Sequence, residues 1–279
     1  MSKSFAVLGS PIDHSKSPQI HEAAYRVLNE DWSYGRFEIP KGGLKRFIEN
    51  EGSSFSGFSV TMPLKENAKS FADELDVLCV ETGAANTLCK IGDKWFGFNT
   101  DVFGIMQSVR AKTNMEFKKS TILGSGATAT SAMAAIARLS PGSEVIVVAR
   151  NKEASKALVD FGSKSGLVVR RSRFIKRALT NADLVISTLP AKSLDQLAEK
   201  LMVRTSFRPK GLLLDVAYDP WPSKIAALWT SRDAAVTSGK EMLVWQAIAQ
   251  IRIFKNGNPA EPLMNEVAVL EAMRIAVDE

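Results

Sequence analysis

Short apolar runs of strand length recur along this chain and alternate with longer stretches whose apolar positions follow a helical period, the pattern of β-α units around parallel sheets. The run at 4–9, Ser-Phe-Ala-Val-Leu-Gly, lacks the alternation of a half-exposed strand and predicts a buried parallel one. A helix over 18–28, a strand over 32–39, a helix over 43–51 and a strand over 55–60 continue the alternation, and Pro63 prevents the last strand from continuing. Residues 87–91 and 94–98 turn at Gly92-Asp93 and predict a hairpin, with a helix from Asp101 to about Arg110 behind it. Residues 111–120 are polar, carry Lys112, Lys118 and Lys119, and read as a linker. A second β-α series then starts with the apolar run before Gly124. It has strands at 145–148, 167–169, 183–187 and 212–216, helices from about 127 and up to about 165, and closing helices from 239 and over 263–277.

A length of 279 residues with 45% apolar and 24% charged content suits an α/β protein of two domains, each with its own core. The formal charge of +6 is spread along the chain, and its densest cluster, Arg170-Arg171-Ser172-Arg173, has no nucleic-acid motif beside it. A solvated basic face is the expectation there, and no nucleic-acid partner. The positive balance would also steer small anions. No apolar signal segment opens the chain and no stretch reaches the length of a membrane span, so a cytoplasmic location is expected. Cys79 and Cys89 show no metal-ligand pattern and are expected as buried thiols, with no metal site. His14 and His21, the only histidines, are expected to make structural hydrogen bonds around the first loop and helix.

The stretch Thr121-Ile122-Leu123-Gly124-Ser125-Gly126-Ala127-Thr128-Ala129 joins a strand to an alanine-rich helix through two glycines. This fits the G-x-G-x-x-[GA] turn of a Rossmann dinucleotide-binding domain, the alternative being a structural turn alone: the first glycine makes the bend, the second lets backbone approach a pyrophosphate, and the small third position packs helix on strand. The free N–H groups of the helix start would face the anion. At the end of the next strand stands Ala149-Arg150-Asn151-Lys152. An acid there would accept the ribose hydroxyls of NAD, whereas an arginine meets the 2′-phosphate of NADP. Arg150, assisted by Lys152, favours NADP; the alternative is an ordinary surface arginine.

Four loops of the front half carry further chemistry. Ser15-Lys16-Ser17 precedes Pro18 and forms a donor cluster suited to a carboxylate, although Ser17 taken alone reads as a helix cap. Thr61-Met62-Pro63-Leu64-Lys65 follows a strand at the edge where α/β sheets bind ligands. Asn86-Thr87 enters the hairpin and Asn99-Thr100-Asp101 leaves it, with Asp101 alone again reading as a cap.

Together, residues 9–18, 60–65, 83–87 and 97–101 resemble, in order, the Gly-x-Pro-Ile-x-His-Ser-x-Ser-Pro, Val-Thr-x-Pro-x-Lys, Gly-Ala-x-Asn-Thr and Gly-x-Asn-Thr-Asp strings of the shikimate dehydrogenase family. Asp215-Val216-Ala217-Tyr218-Asp219-Pro220 and Gly239-Lys240-Glu241-Met242-Leu243-Val244-Trp245-Gln246 resemble two further strings of that family. The resemblance implies a mixed α/β substrate domain over 1–110, completed by 239–279 returning to it, and a Rossmann domain over 111–238. It implies reversible reduction of 3-dehydroshikimate to shikimate with NADPH, in aromatic amino acid biosynthesis, by a monomer or homodimer. Lys65 and Asp101 become the catalytic pair, with Ser15, Ser17, Thr61, Asn86, Tyr218 and Gln246 around the substrate. Gly124, Ser125, Gly126, Ala127, Thr128, Arg150, Lys152, Thr188, Gly239 and Met242 fall to the cofactor. The chemistry agrees, since hydride addition to a ketone puts negative charge on oxygen and an ammonium can stabilise it or supply a proton. Tyr218 closing a turn and Met242 in a core are the structural alternatives for those two. Ser59 stands where the family usually has asparagine, which is expected to alter a hydrogen bond beside the lysine, and Ala149 removes an asparagine common before the arginine in NADP-dependent relatives. A quinate/shikimate dehydrogenase preferring NAD and a non-catalytic cofactor-binding relative are the alternative readings.

Overall fold

The buried run at the start of the chain forms β1 (Lys3–Gly9) in the computed structural model, which describes residues 2–278. It is followed by α1 (Ser17–Leu28), β2 (Trp32–Glu38), α2 (Leu44–Glu49), β3 (Gly57–Val60), α3 (Lys65–Phe71), β4 (Glu74–Leu75), α4 (Val77–Thr82), β5 (Thr87–Ile91), β6 (Lys94–Phe98) and α5 (Asp101–Arg110). These strands make one mixed sheet in the order β2-β1-β3-β5-β6-β4. β1 runs parallel to β2 and β3, while β5 is antiparallel to both β3 and β6, as the Gly92 turn requires. β3, β6 and β1 therefore end, and β5 begins, at the same edge of the sheet.

The second series is β7 (Lys119–Leu123), α6 (Ala127–Leu139), β8 (Glu144–Val148), α7 (Lys152–Lys164), β9 (Val168–Arg171), α8 (Ile175–Thr180), β10 (Leu184–Ser187), α9 (Asp195–Met202), β11 (Leu212–Asp215), α10 (Lys224–Thr230) and β12 (Val236–Ser238). Its sheet is parallel throughout, in the order β12-β11-β10-β7-β8-β9. The order reverses between β7 and β10, the switch point beside which doubly wound sheets bind ligands. α11 (Gly239–Asn256) and α12 (Glu266–Asp278) end the chain. By internal packing the described residues up to Gly104 and those from Leu243 onward form one unit, and Ile105–Met242 forms the other.

Most predicted elements recur within a few residues. The expected linker is shorter than its polarity suggested, because β7 already starts at Lys119, where Lys119 pairs with Glu144 of the neighbouring strand. The elements without a sequence signal, α3, β4, α4, α8, α9, α10 and β12, span only two to eight residues. That is too short for a helical period to declare itself.

The alternation of side chains along β1 builds two cores in the first unit. Phe5 and Val7 enter a cluster with Ile20, Tyr25, Ile248, Ile251, Phe254, Val269 and Met273, so that helices from both ends of the chain cover one face. Ala6 and Leu8 enter the other, with Leu44, Phe47, Phe58, Leu64 and Leu88. Phe5 stacks on Phe254 with ring centroids 4.3 Å apart. The second unit has its own core around Val185, Leu213, Phe207 and Trp229, and the buried indole N–H of Trp229 donates to Gly211 O at 3.1 Å.

His21 lies inside the first of these cores. It is fully buried, stacked on Tyr34 at 4.0 Å between centroids, with Nδ1 3.2 Å from the Tyr25 hydroxyl and Nε2 3.3 Å from Gln250 Oε1. The structural role expected for it stands, whereas His14 is exposed and makes no comparable contacts among the described residues. Burial pushes the His21 pKa down to about 3 from 6.5, against a smaller opposing effect of the Gln250 hydrogen bond. Below pH 6.5 the unfolded chain binds a proton that the folded imidazole refuses. This contribution to stability is complete above that pH and declines as pH falls towards 3, at up to about 1.4 kcal/mol per pH unit. Urea midpoints measured from pH 7 to 4.5 should fall more steeply for the wild type than for His21→Gln.

Candidate active site

The shared sheet edge is stitched together by backbone. Thr61 N–H donates to Leu8 O at 2.9 Å, Val60 N–H to Asn86 O at 2.7 Å, and Asn86 N–H to Phe98 O at 3.0 Å. The ends of β1, β3 and β6 and the start of β5 are thereby held in register, and Thr61, Lys65, Asn86 and Asp101 extend from them. Gly9 is required in this arrangement, since a Cβ there would fall 2.4 Å from Thr61 Cγ2.

Lys65 opens α3, a position where the helix dipole disfavours a cation. Asp101 answers the charge, accepting from Lys65 Nζ at 2.5 Å, with side-chain exposures of 13% and 5% for the two residues. The other oxygen, Asp101 Oδ1, accepts from Asn86 Nδ2 at 2.8 Å. Asn86 Nδ2 also lies 2.9 Å from Thr100 Oγ1 and 3.3 Å from Gln246 Oε1, and its Oδ1 accepts the Thr100 N–H at 2.8 Å. Asn86, Thr100 and Asp101 are each at most 4% exposed. The reading of Asp101 as a helix cap fails on these contacts. It is the first residue of α5, its N–H donates to Asn99 Oδ1 at 3.1 Å, and its carboxylate is left for Lys65 and Asn86.

Ser15 and Ser17 are both buried, and the Ser17 N–H donates to Ser15 Oγ at 3.3 Å. Ser17 does not cap α1 either. It is the first helical residue, and the cap position belongs to Lys16 without a side-chain bond. Gln246 is buried on α11 with its Nε2 donating to Leu243 O at 3.1 Å.

In the second unit the glycine turn has the geometry its sequence asks for. Gly124 has φ +116°, and a Cβ on it would fall 2.4 Å from the Thr188 hydroxyl, so only glycine fits. The Thr188 N–H and hydroxyl both donate to Leu123 O at 2.9 Å, fixing that loop beside the turn. Gly126 forms the N-terminal cap of α6 without a side-chain hydrogen bond, and the place of its missing Cβ is open space. Ser125, Ala127 and Thr128 flank this start, partly exposed. A backbone concavity at the start of a 13-residue helix suits a phosphate-bearing group.

Past β8, Arg150 and Lys152 are exposed, and Asn151 between them caps α7, accepting from Ala154 N–H at 3.0 Å. Lys152, Lys156 and Arg171, with Glu153 and Val159, line an open cavity of about 410 Å³. Tyr218 is half-buried in the loop after β11. Gly239 starts α11 pressed against backbone, a Cβ there falling 2.0 Å from Val216 O, and Met242 is buried. Cys79 and Cys89 are free buried thiols, with burial pushing the Cys89 thiol up to about 11 and Cys79 further up.

From the sequence neither Tyr34 nor Gln250 was singled out, and Thr87 and Thr100 were named within their motifs without a role of their own. Gln250 stands one helical turn beyond Gln246 and so on the same face of α11, a spacing that was legible. The Ser59 hydroxyl accepts from Tyr34 at 2.6 Å and donates to Gln250 Oε1 of α11 at 2.7 Å.

Residues 7–88 match the sequence profile of the shikimate dehydrogenase substrate binding domain, and residues 101–243 that of the alanine dehydrogenase/PNT C-terminal domain. The chain is 30% identical to the shikimate dehydrogenase (NADP(+)) of Nitrosopumilus maritimus over 260 residues, covering 91% of this chain and 93% of that one. With the same enzyme of Desulfitobacterium hafniense it shares 30% identity over 280 residues, covering 99% and 98%. Among solved structures, Mycobacterium tuberculosis shikimate dehydrogenase is similar at 37% identity with a TM-score of 0.83, covering 99% of each chain. The Thermus thermophilus shikimate 5-dehydrogenase in complex with NADP(H) and shikimate is similar at 26% identity and a TM-score of 0.82, covering 98% and 99%. Similarity at this level over almost the entire length shows that the chain belongs to the shikimate dehydrogenase family.

Proposed function

We propose that this protein is an NADP-dependent shikimate dehydrogenase, reversibly reducing 3-dehydroshikimate to shikimate in the cytoplasm as a step of aromatic amino acid biosynthesis. The observation that carries the reading is the buried ion pair of Lys65 and Asp101, backed by Asn86 and Gln246 at one sheet edge. The nicotinamide supplies or receives hydride at the carbon bearing the oxygen. Lys65 gives its proton to that oxygen during reduction and takes one back during oxidation. Asp101 holds the ammonium, and Asn86 holds Asp101. Ser15 and Ser17, both buried hydroxyls at the start of α1, bind the substrate carboxylate. Thr61 and Tyr218 contact the substrate as well.

The glycine turn fits a dinucleotide: Gly124 makes the bend, Gly126 leaves open space at the start of α6, and Ser125, Ala127 and Thr128 offer polar groups around it. Thr188, Gly239 and Met242 complete the cofactor set in this reading. Arg150 and Lys152 select NADP, there being no carboxylate at the tip of β8 itself.

Lys65→Ala should lower kcat about 10²- to 10⁴-fold, the usual share of a general acid, in a steady-state assay following reduced nicotinamide with shikimate; kcat near the wild-type value would refute the role. Arg150→Ala should raise KM for NADP about 10- to 100-fold, the worth of a charge-assisted contact, and leave KM for NAD unchanged. A wild-type preference for NAD, or for quinate over shikimate, would replace the reading by the quinate/shikimate alternative.

A further inference from the structure

We infer that Gln250 is a positioning residue for the reaction: its buried carboxamide fixes the direction of a hydrogen-bond chain that aims Asn86 at Asp101 and, through it, Lys65. The inference rests on the function proposed above. Gln250 is 1% exposed and its amide meets four partners. Oε1 accepts from Ser59 Oγ at 2.7 Å and lies 3.3 Å from His21 Nε2. Nε2 donates to Thr87 Oγ1 at 3.1 Å and to Asn86 O at 3.3 Å.

The direction of this amide follows from its partners. Asn86 O can only accept, so the nitrogen of Gln250 must face it, and the oxygen then faces Ser59 and His21. Neutral His21 therefore carries its proton on Nε2, and its Nδ1 accepts from Tyr25. On the other side, Thr87 has received a proton from Gln250 and passes its own to Asn86 Oδ1 at 2.9 Å. That leaves Asn86 Nδ2 pointing at Asp101 Oδ1. Upstream, Tyr34 donates to Ser59 at 2.6 Å. One oriented series thus runs from Tyr34, through Ser59, Gln250, Thr87 and Asn86, to Asp101. Ser59 is the group that meets the Gln250 carboxamide from the β3 side.

Two substitutions interrupt the series behind the ion pair. Gln250→Ala and the isosteric Thr87→Val should each lower kcat about 10- to 100-fold, the cost of misaligning a reacting group, with KM for NADP unchanged. The double variant should be no slower than the slower single one, since both remove the same link. Ser59→Asn should restore kcat at least about 3-fold in the Gln250→Ala background, by offering a carboxamide from the β3 side, and lower it in the wild-type background, where the space is taken. Folding is checked by circular dichroism, and if Gln250→Ala does not fold, Thr87→Val decides. A folded Gln250→Ala or Thr87→Val enzyme with kcat within about 2-fold of wild type overturns the inference, as does full additivity of the two. Failure of Ser59→Asn to restore a folded Gln250→Ala enzyme overturns it too. A wild-type protein that turns over no shikimate would instead refute the proposed function.

Discussion

A carboxylate held at 5% side-chain exposure is tolerable only if both of its oxygens are answered, and much of the first unit is arranged to answer those of Asp101. Lys65 takes one oxygen and Asn86 the other. Each has been brought there by a different strand, so the charge is satisfied only when the ends of β3 and β6 and the start of β5 lie at the same level of the sheet. The backbone bonds from Val60 to Asn86 and from Asn86 to Phe98 set that level. Placement of the ion pair and registry of the sheet are in this sense one requirement, and a slip of either strand would leave a charge unpaired in the interior.

The local price of the arrangement is visible at α3, which starts with a cation where its dipole favours an anion. Departures from local preference of this kind concentrate at functional sites. In the second unit the same tension takes a steric form. Gly124 occupies a left-handed backbone conformation in contact with Thr188, and Gly126 keeps clear the space in front of α6. Side chains are absent at both points for different reasons, close packing at the first and an open approach at the second.

Where the chemistry depends on residue type and order, the sequence was readable. The strand before Gly124, the helix after Gly126, the hairpin around Gly92 and the buried β1 all follow from local pattern. The four motif loops, too, named Lys65, Asn86 and Asp101 before any geometry was available. Roles that depend on competition between partners were not readable. Ser17 and Asp101 both stand where a cap is expected, yet each is the first residue of its helix; Lys16 holds the cap position of α1, and Asn99 Oδ1 accepts the Asp101 N–H, leaving the carboxylate for other contacts. Gln250 and Ser59 are separated by 191 residues, and only packing of α11 on the sheet brings them to 2.7 Å. Short elements such as α8 and β12 offered too few residues for any period to emerge.

The oriented series behind Asp101 also bears on where protons can travel. Hydroxyls and imidazoles hand protons along by exchanging donor and acceptor roles, but a carboxamide cannot do so without turning over, and Gln250 is held against turning by Asn86 O. Asn86, another carboxamide, stands between Thr87 and the ion pair. The interior side of the site is therefore insulated: it can orient charge but not conduct it. Under the role proposed for Lys65, a proton lost to substrate has to be replaced from outside this buried network.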